Sequence, residues 1–264
     1  QLVKNTESVY FPALELIPFE VLGQSGELEQ QRLNVLAKLL TQKEPLIVIT
    51  TIEAFGKVLL PQKIMHKAIR HLEVGARVDL TELKNHLVNI GYQAATLVES
   101  PGEFAVRGGI LDVYSPMSAP VRVEFFDTEI DAMGEFDVAT QRRTKNLEEL
   151  TVLPAAEVLP FAAEGGRDAM LARMEHAAAQ LAKKETTEKT AAAIRADMDR
   201  LREGLPLGGK DRYLAAAYPT AVCAADYLPE GSIVLVCEGS RVMERAKGCA
   251  FEWGEDLKIL LEEG

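Results

Sequence analysis

Two uninterrupted apolar runs, one near each end of the 264-residue chain, constrain its fold more than any other feature. Residues 46–49 (Leu-Ile-Val-Ile) precede a helical pattern over residues 50–55, and residues 232–236 (Ser-Ile-Val-Leu-Val) precede one over residues 241–247. Short apolar runs bounded by turn residues are typical of buried strands in an open α/β layer. Because a buried strand needs neighbours, we predict that the two runs lie in one sheet.

Three other regions carry helical patterns. Residues 26–42 repeat apolar side chains at helical spacing, and Asp79 can cap a helix that runs to about Ile90 and ends at Gly91. Between residues 167 and 203, two apolar stripes are out of phase with each other across a polar stretch. This pattern predicts two helices, or one helix that bends at the polar stretch.

The middle of the chain predicts β-structure. Residues 104–114 and 121–130 are both strand-like, and a connection rich in Pro and Ser (residues 115–120) joins them. We therefore predict antiparallel pairing of these two segments. Gly108 and Gly109 indicate a bulge or the close approach of another backbone. The predicted class is α/β, with one layer formed by both chain ends and a β-rich α+β domain inserted into it.

Composition and charge exclude several kinds of protein. The chain is 47% apolar and 26% charged, which is typical of globular proteins. Its net charge of −11 argues against general binding to phosphate backbones. No apolar run is long enough for a membrane helix, and the three cysteines show no CxxC spacing, so we expect a soluble, cytoplasmic protein with no membrane partner. The first residue is Gln, as expected of a piece of a longer protein or of a chain that has lost its initiator residues.

Catalytic motifs are not found in the sequence. A phosphate-binding P-loop needs Ser or Thr after its Gly-Lys pair, whereas Val58 follows Gly56-Lys57 and Asp211 follows Gly209-Lys210. One acidic cluster could be taken for a hydrolase or magnesium site, but alternation along a strand and turn explains it better as a solvated face. Its members are Asp127, Glu129, Asp131, Glu135 and Asp137.

The segment 121–126 (Val-Arg-Val-Glu-Phe-Phe) is the strongest candidate for a binding surface. The strand period of two puts its first, third and fifth residues on one face, and Arg122, Glu124 and Phe126 on the other. If the apolar face is the core, Phe126 lies outside beside an arginine, a combination typical of protein–protein hot spots. Alternatively, Phe126 packs beneath a neighbouring helix or loop; the spacing alone favours neither arrangement.

Residues 102–114 (GEFAVRGGILDVY), 121–131 (VRVEFFDTEID) and 136–143 (FDVATQRR) resemble the UvrB-homologous N-terminal part of the bacterial transcription-repair coupling factors. The resemblance implies a partial UvrB-like domain 1a over residues 1–70, a UvrA-binding domain 2 over residues 71–154 and a domain 1b over residues 155–264. It also implies that the α/β layer is similar to a degenerate helicase layer.

Members of this family are ATP-driven DNA translocases that displace stalled RNA polymerase and recruit excision repair through UvrA. The resemblance implies that this chain is a noncatalytic, UvrA-recruiting module without a cofactor of its own. ATP, magnesium, DNA and RNA polymerase are expected to bind domains outside it. Matched motif to motif, the UvrA-binding residues of the family fall on Arg107, Arg122 and Phe126.

Two alternatives remain open at this stage. The module could be regulatory, holding the full protein closed by an intramolecular contact between the same surface and the C-terminal region. It could also be a nucleotide-binding or nuclease domain. ATP turnover by the isolated chain would distinguish an enzyme from a binding module, and we expect none above background.

Overall fold

A computed structural model describes residues 6–13, 26–116, 118–205, 207 and 210–263. The described residues form eight α-helices and ten β-strands, as expected for the predicted mixture of helices and strands. In chain order the elements are β1 (Glu7–Phe11), α1 (Gly26–Thr41), β2 (Leu46–Thr50), α2 (Ile52–Phe55), α3 (Gln62–Ala68), β3 (Arg70–Glu73), α4 (Leu80–Asn89), β4 (Gln93–Ala94), β5 (Glu103–Arg107), β6 (Ile110–Val113), β7 (Val121–Phe126), β8 (Glu129–Phe136), β9 (Arg143–Leu147), β10 (Glu149–Val152), α5 (Gly166–Leu181), α6 (Glu188–Arg202), α7 (Leu214–Ala217) and α8 (Gly239–Glu263).

The N-terminal unit has the β–α–β order of an open α/β layer. β2 pairs in parallel with β1, and α1 lies in the connection between them, with Leu33 and Leu36 fully buried. The predicted strand at residues 46–49 and the helix after it are confirmed, and the Thr51 side chain caps α2. β2 is less buried than its apolar sequence predicts, since Ile49 is exposed.

The second predicted strand, at residues 232–236, does not form. This segment is an irregular connection between a turn, in which the Ser232 N–H donates to the Pro229 carbonyl, and α8. Ile233 and Leu235 are more than 80% exposed. The prediction that this run shares a sheet with residues 46–49 is therefore wrong. The partner of β2 is instead β1, which has a mixed sequence (Glu-Ser-Val-Tyr-Phe) that a search for apolar runs does not detect.

The segment after β2 and the C-terminal part of the chain nevertheless pack against each other through turns and side chains. Leu59 forms an isolated antiparallel bridge with Val222, and the Tyr227 hydroxyl donates to the Leu60 carbonyl. The Arg245 Nε atom lies 2.5 Å from Glu53 Oε1, which joins α8 to α2. Residues 53–60 and residues 222–245 thus pack against each other, although no strand among the described residues after β10 joins the β1–β2 sheet.

The contact between Glu53 and Arg245 predicts a pH dependence. The hydrogen bond from Arg245 is the main reason that the pKa of Glu53 falls from its usual 4.5 to about 2. A carboxyl group whose pKa is lowered by folding stabilises the fold, and this contribution is complete at pH values above its ordinary pKa. The contribution disappears as the pH falls through about 2. We expect Glu53→Gln to melt below wild type at pH 6 and together with wild type near pH 2. A difference in melting temperature that is the same at both pH values would contradict this.

The middle region is a six-stranded sheet with the order β4-β5-β6-β7-β8-β9. Each of the two predicted strands is in fact a hairpin: residues 104–114 form β5 and β6, and residues 121–130 form β7 and the start of β8. Gly108, with φ of +61°, makes the first turn possible, and Asp127, with φ of +57°, begins the second. The predicted antiparallel pairing is confirmed for β6 with β7. The predicted close approach is confirmed too, because a Cβ atom at Gly109 would lie 2.9 Å from the Phe125 carbonyl oxygen.

The remaining predicted helices agree with the structure. Asp79 accepts a hydrogen bond from the Glu82 N–H at the start of α4, and Gly91 follows the helix with φ of +96°. Of the two possibilities for residues 167–203, two separate helices, α5 and α6, are observed, and they pack against each other. Among the described residues, no helix is long and apolar enough to cross a membrane.

A single large apolar cluster joins the N-terminal unit, the six-stranded sheet and the helices that follow β10. It includes Leu36 of α1, Leu111 of β6 and Met174 of α5. One charged pair lies inside this packing: Arg32 is fully buried and Glu157 is 1% exposed, and their side chains form an ion pair. The N-terminal unit is therefore tied to the segment that follows β10 by both apolar and ionic contacts.

Candidate partner-binding surface

The six-stranded sheet has one face in the core and a second face that carries the predicted site. On β7, Val121 and Val123 are buried and Phe125 packs against the main core. Arg122, Glu124 and Phe126 alternate with them and therefore lie on the other face. The predicted assignment of the two faces is confirmed. We call the second face of β5, β6 and β7 the outer face.

The strand register arranges the outer-face residues in successive rows. One row contains Ala105, Asp112 and Arg122, and the next contains Arg107, Ile110 and Glu124. Phe126 follows Glu124 by two residues on β7 and stands one row further towards the turn between β7 and β8. Arg107 is therefore one row closer to Phe126 than Arg122 is.

Asp112 holds the two arginines together. Its side chain is 1% exposed, and it accepts hydrogen bonds from Arg122 Nε at 2.7 Å and from Arg122 Nη2 at 2.8 Å. Arg107 Nη2 donates to the same carboxylate at 2.6 Å. Asp112 is not among the site residues predicted from the sequence. The available signal was a carboxylate inside the apolar strand sequence Ile-Leu-Asp-Val, because a buried charge requires a partner.

The Arg122 side chain is less exposed than we expect of a hot-spot arginine on an open strand face. Its side chain is 18% exposed, and its guanidinium lies 5.0 Å from the centre of the Phe136 ring. It also donates to the backbone carbonyl and to the side-chain oxygen of Gln141. Hydrogen bonding to Asp112 is the main cause that raises the pKa of Arg122 above its usual range. Arg122 is thus fixed in place by its neighbours.

Arg107 and Phe126 are the open parts of the outer face. The Arg107 side chain is 50% exposed, and within the described ranges it donates one hydrogen bond, to Asp112. Phe126 is 79% exposed. Of the two arrangements that the sequence left open for Phe126, packing beneath a helix or loop is therefore wrong. The structure brings Arg107 and Arg122 onto one carboxylate and places Phe126 at the exposed end of the same face.

A second ion pair lies across the same face. Arg143 Nη2 of β9 donates to Glu124 Oε1 at 2.6 Å. Its side chain crosses β8 at Gly134, where a Cβ atom would lie 2.9 Å from Arg143 Cδ. The same Cβ atom would lie 2.6 Å from the Lys145 carbonyl oxygen, so glycine at position 134 leaves space for both the β9 backbone and the Arg143 side chain. The negative charge of Glu124 is balanced locally, so it does not cancel the charge of Arg107.

The carboxylates of the acidic cluster lie at the surface, and three of them contact basic or hydroxyl side chains. Glu129 lies 4.0 Å from Arg77, and Glu135 lies 3.6 Å from Lys145. Thr140 donates two hydrogen bonds to Asp137, one from its side-chain hydroxyl and one from its backbone N–H. These bonds lower the pKa of the Asp137 carboxyl, and the hydroxyl contributes more than the N–H does. Within the described ranges, no group of three or more His, Cys, Asp or Glu side chains could hold a metal ion.

Comparisons with known proteins agree with this picture. A family model described as the UvrB interaction domain matches residues 71–158. The transcription-repair-coupling factor of Bacillus subtilis (strain 168) is 31% identical over 268 residues, which are 100% of this chain and 22% of the relative. The factors of Staphylococcus haemolyticus and Staphylococcus aureus (strain MRSA252) are each 28% identical over 272 residues, with 100% of this chain and 23% of the relative covered. The chain thus spans less than a quarter of the length of these relatives. From the whole-chain similarity and the matched domain, we conclude that the chain belongs to the transcription-repair-coupling factor family.

Proposed function

We propose that this chain is a noncatalytic recruitment module that binds UvrA through the outer face of its inserted domain. In this proposal it acts within a larger ATP-dependent translocase that displaces stalled RNA polymerase and couples transcription to excision repair. The family assignment supports that role, and so does the matched UvrB interaction domain, which contains Arg107, Arg122 and Phe126. We assign the contacts with UvrA to these three residues.

The observation that carries the proposal is the exposure of Phe126 on the same sheet face as two arginines that share the Asp112 carboxylate. A phenylalanine that is 79% exposed gains free energy when a partner removes it from water. Exposed single apolar residues are common on protein surfaces, so the exposure of Phe126 alone would not suffice. Its position on the same face as Arg107, one row further along and two strands across, supplies the second element, because aromatic and arginine side chains dominate hot spots.

The chemistry of the surface favours a protein partner with acidic or carbonyl groups beside an apolar pocket. Arg107 presents a planar guanidinium with several N–H groups, which suits carboxylate or backbone carbonyl oxygens. Phe126 would fill the pocket. The net charge of −11 makes attraction of the whole chain to a phosphate backbone unfavourable, so we assign the arginines to protein recognition.

We also propose that the outer parts of the chain form a degenerate helicase-like layer that carries the inserted domain. The boundaries would be residues 1–70 and 155–264 for the layer and 71–154 for the insert. The parallel β1–α1–β2 unit and its contacts with the C-terminal end support this arrangement. ATP, magnesium, DNA and RNA polymerase would then bind parts of the full-length protein outside this chain.

Calorimetric titration of purified UvrA with matched arginine variants tests the proposal. We expect wild type to bind, and Arg107→Ala to bind about tenfold more weakly, since a lost interface arginine costs about 1–2 kcal/mol. Arg195→Ala is the control, because Arg195 is 46% exposed, forms one ion pair and lies away from the inserted domain, on α6. It should bind as wild type does. Failure of the wild-type chain to bind UvrA would refute the proposed function.

A further inference from the structure

We propose that Asp112 is a positioning residue of the partner-binding surface, which holds the Arg107 guanidinium in the orientation that the partner recognises. This inference rests on the proposed function and adds to it a residue that need not touch the partner. Asp112 lies on β6, the strand between the two that carry Arg107 and Arg122. A single carboxylate can therefore reach both guanidinium groups from within the sheet.

Burial makes these contacts obligatory. The Asp112 side chain is 1% exposed, so its charge depends on the arginines rather than on water. Oδ1 accepts from Arg122, and Oδ2 accepts from both Arg122 and Arg107. Two arginines and one aspartate leave one unit of positive charge on the cluster. The carboxylate thus holds the two guanidinium groups close together, where they would otherwise repel each other.

The two arginines use this carboxylate differently. A guanidinium carries five N–H groups; four of those of Arg122 donate to Asp112 and Gln141. Arg107 donates one hydrogen bond among the described residues, so its other N–H groups point away from Asp112 and can reach a partner. Arg122 therefore fixes Asp112, and Asp112 fixes Arg107.

Orientation matters because arginine is a long, flexible side chain. Ordering such a side chain on binding costs about 0.5–1.5 kcal/mol, and a contact already made in the unbound protein reduces that cost. The half-exposed position of Arg107 would otherwise allow many rotamers. Asp112 selects those in which Nη2 faces its carboxylate, so the other N–H groups of the fork stay available on the outer face.

A double-mutant cycle with purified UvrA tests this role. We expect Asp112→Asn to weaken binding about tenfold, a typical loss for a disturbed hot spot. In the Arg107→Ala background the same change should weaken binding clearly less than it does in wild type. The part of its effect that passes through Arg107 is then absent, and Arg122 keeps its contacts with Gln141 and Phe136. Asp197→Asn is the matched control, since Asp197 is a largely buried acceptor from Arg212 on another part of the chain. It should bind as wild type does.

Each result bears on the inference separately from the proposed function. If wild type binds UvrA and Asp112→Asn binds equally well, the positioning role is wrong while the proposed function stands. Equal losses for Asp112→Asn with and without Arg107 would also overturn it, because a merely structural role would weaken both backgrounds alike.

A measurement on the wild-type chain keeps the inference testable if Asp112→Asn fails to fold. Nitrogen-15 spectra of the arginine side chains should show slowed rotation of the Arg107 guanidinium relative to that of Arg77, whose side chain is 81% exposed and lies 4.0 Å from Glu129. Rapid averaging of the Arg107 signal at low temperature would overturn the inference, because the side chain would then not be held by Asp112.

Discussion

Phe126→Ala is expected to weaken UvrA binding about thirtyfold and to leave the stability of the chain almost unchanged. Truncated hot-spot aromatics typically cost about 2 kcal/mol or more in binding, which corresponds to that factor. The side chain is 79% exposed, and surface substitutions usually change stability by only about 0.5 kcal/mol. Calorimetry with UvrA and thermal melts of the same samples measure the two effects.

The adjacent Phe125 provides a control of the same residue type on the same strand. It is partly buried and packs against the main core, so Phe125→Ala should lower stability by up to about 3 kcal/mol, since a fully buried phenylalanine contributes about 1.5–3 kcal/mol. Where this variant remains folded, its affinity for UvrA should stay close to that of wild type. If Phe126→Ala melts far below wild type and Phe125→Ala does not, the two faces of β7 are assigned the wrong way round.

Features that depend on neighbouring residues in the sequence were predictable. The cap of α4 requires only Asp79 and the N–H of Glu82, which are three residues apart. The two faces of β7 follow from the alternation that any strand imposes, and this alternation separated Phe126 from Phe125. The two hairpin turns are not predicted, because the strand-like composition continues through both of them. At the first turn, Gly108 and Gly109 indicate only a bulge or the close approach of another backbone.

Features that depend on distant partners were not predictable from a single sequence. Residues 232–236 have the composition of a buried strand, but composition does not specify which edge will accept a strand, and β1 pairs with β2 instead. Asp112 was missed for the same reason, since its hydrogen-bond partners come from two other strands. The space at Gly134 is likewise visible only once Arg143 of the next strand is in place.

Arg32→Met is expected to give the largest loss of stability, about 3–5 kcal/mol, the typical cost of removing one partner of a buried ion pair. Arg32 Nε lies 2.5 Å from Glu157 Oε1, and Arg32 Nη1 donates to the Pro12 carbonyl at 2.8 Å. The guanidinium also lies over the Phe11 ring, 4.4 Å from its centre. Methionine replaces the apolar part of the side chain but leaves the Glu157 carboxylate buried without its cation. Unfolding by urea measures the loss.

Two further variants show whether the unpaired charge is the cause. Lys38→Met, on the same helix, breaks an ion pair with Glu7 whose side chains are 29% and 45% exposed, so it should destabilise the chain far less than Arg32→Met does. The double variant Arg32→Met/Glu157→Met should recover much of the loss, because replacing a whole buried pair by apolar residues is often neutral. If the double variant is as unstable as Arg32→Met alone, the loss comes from packing around Phe11 and Pro12 rather than from the charge of Glu157.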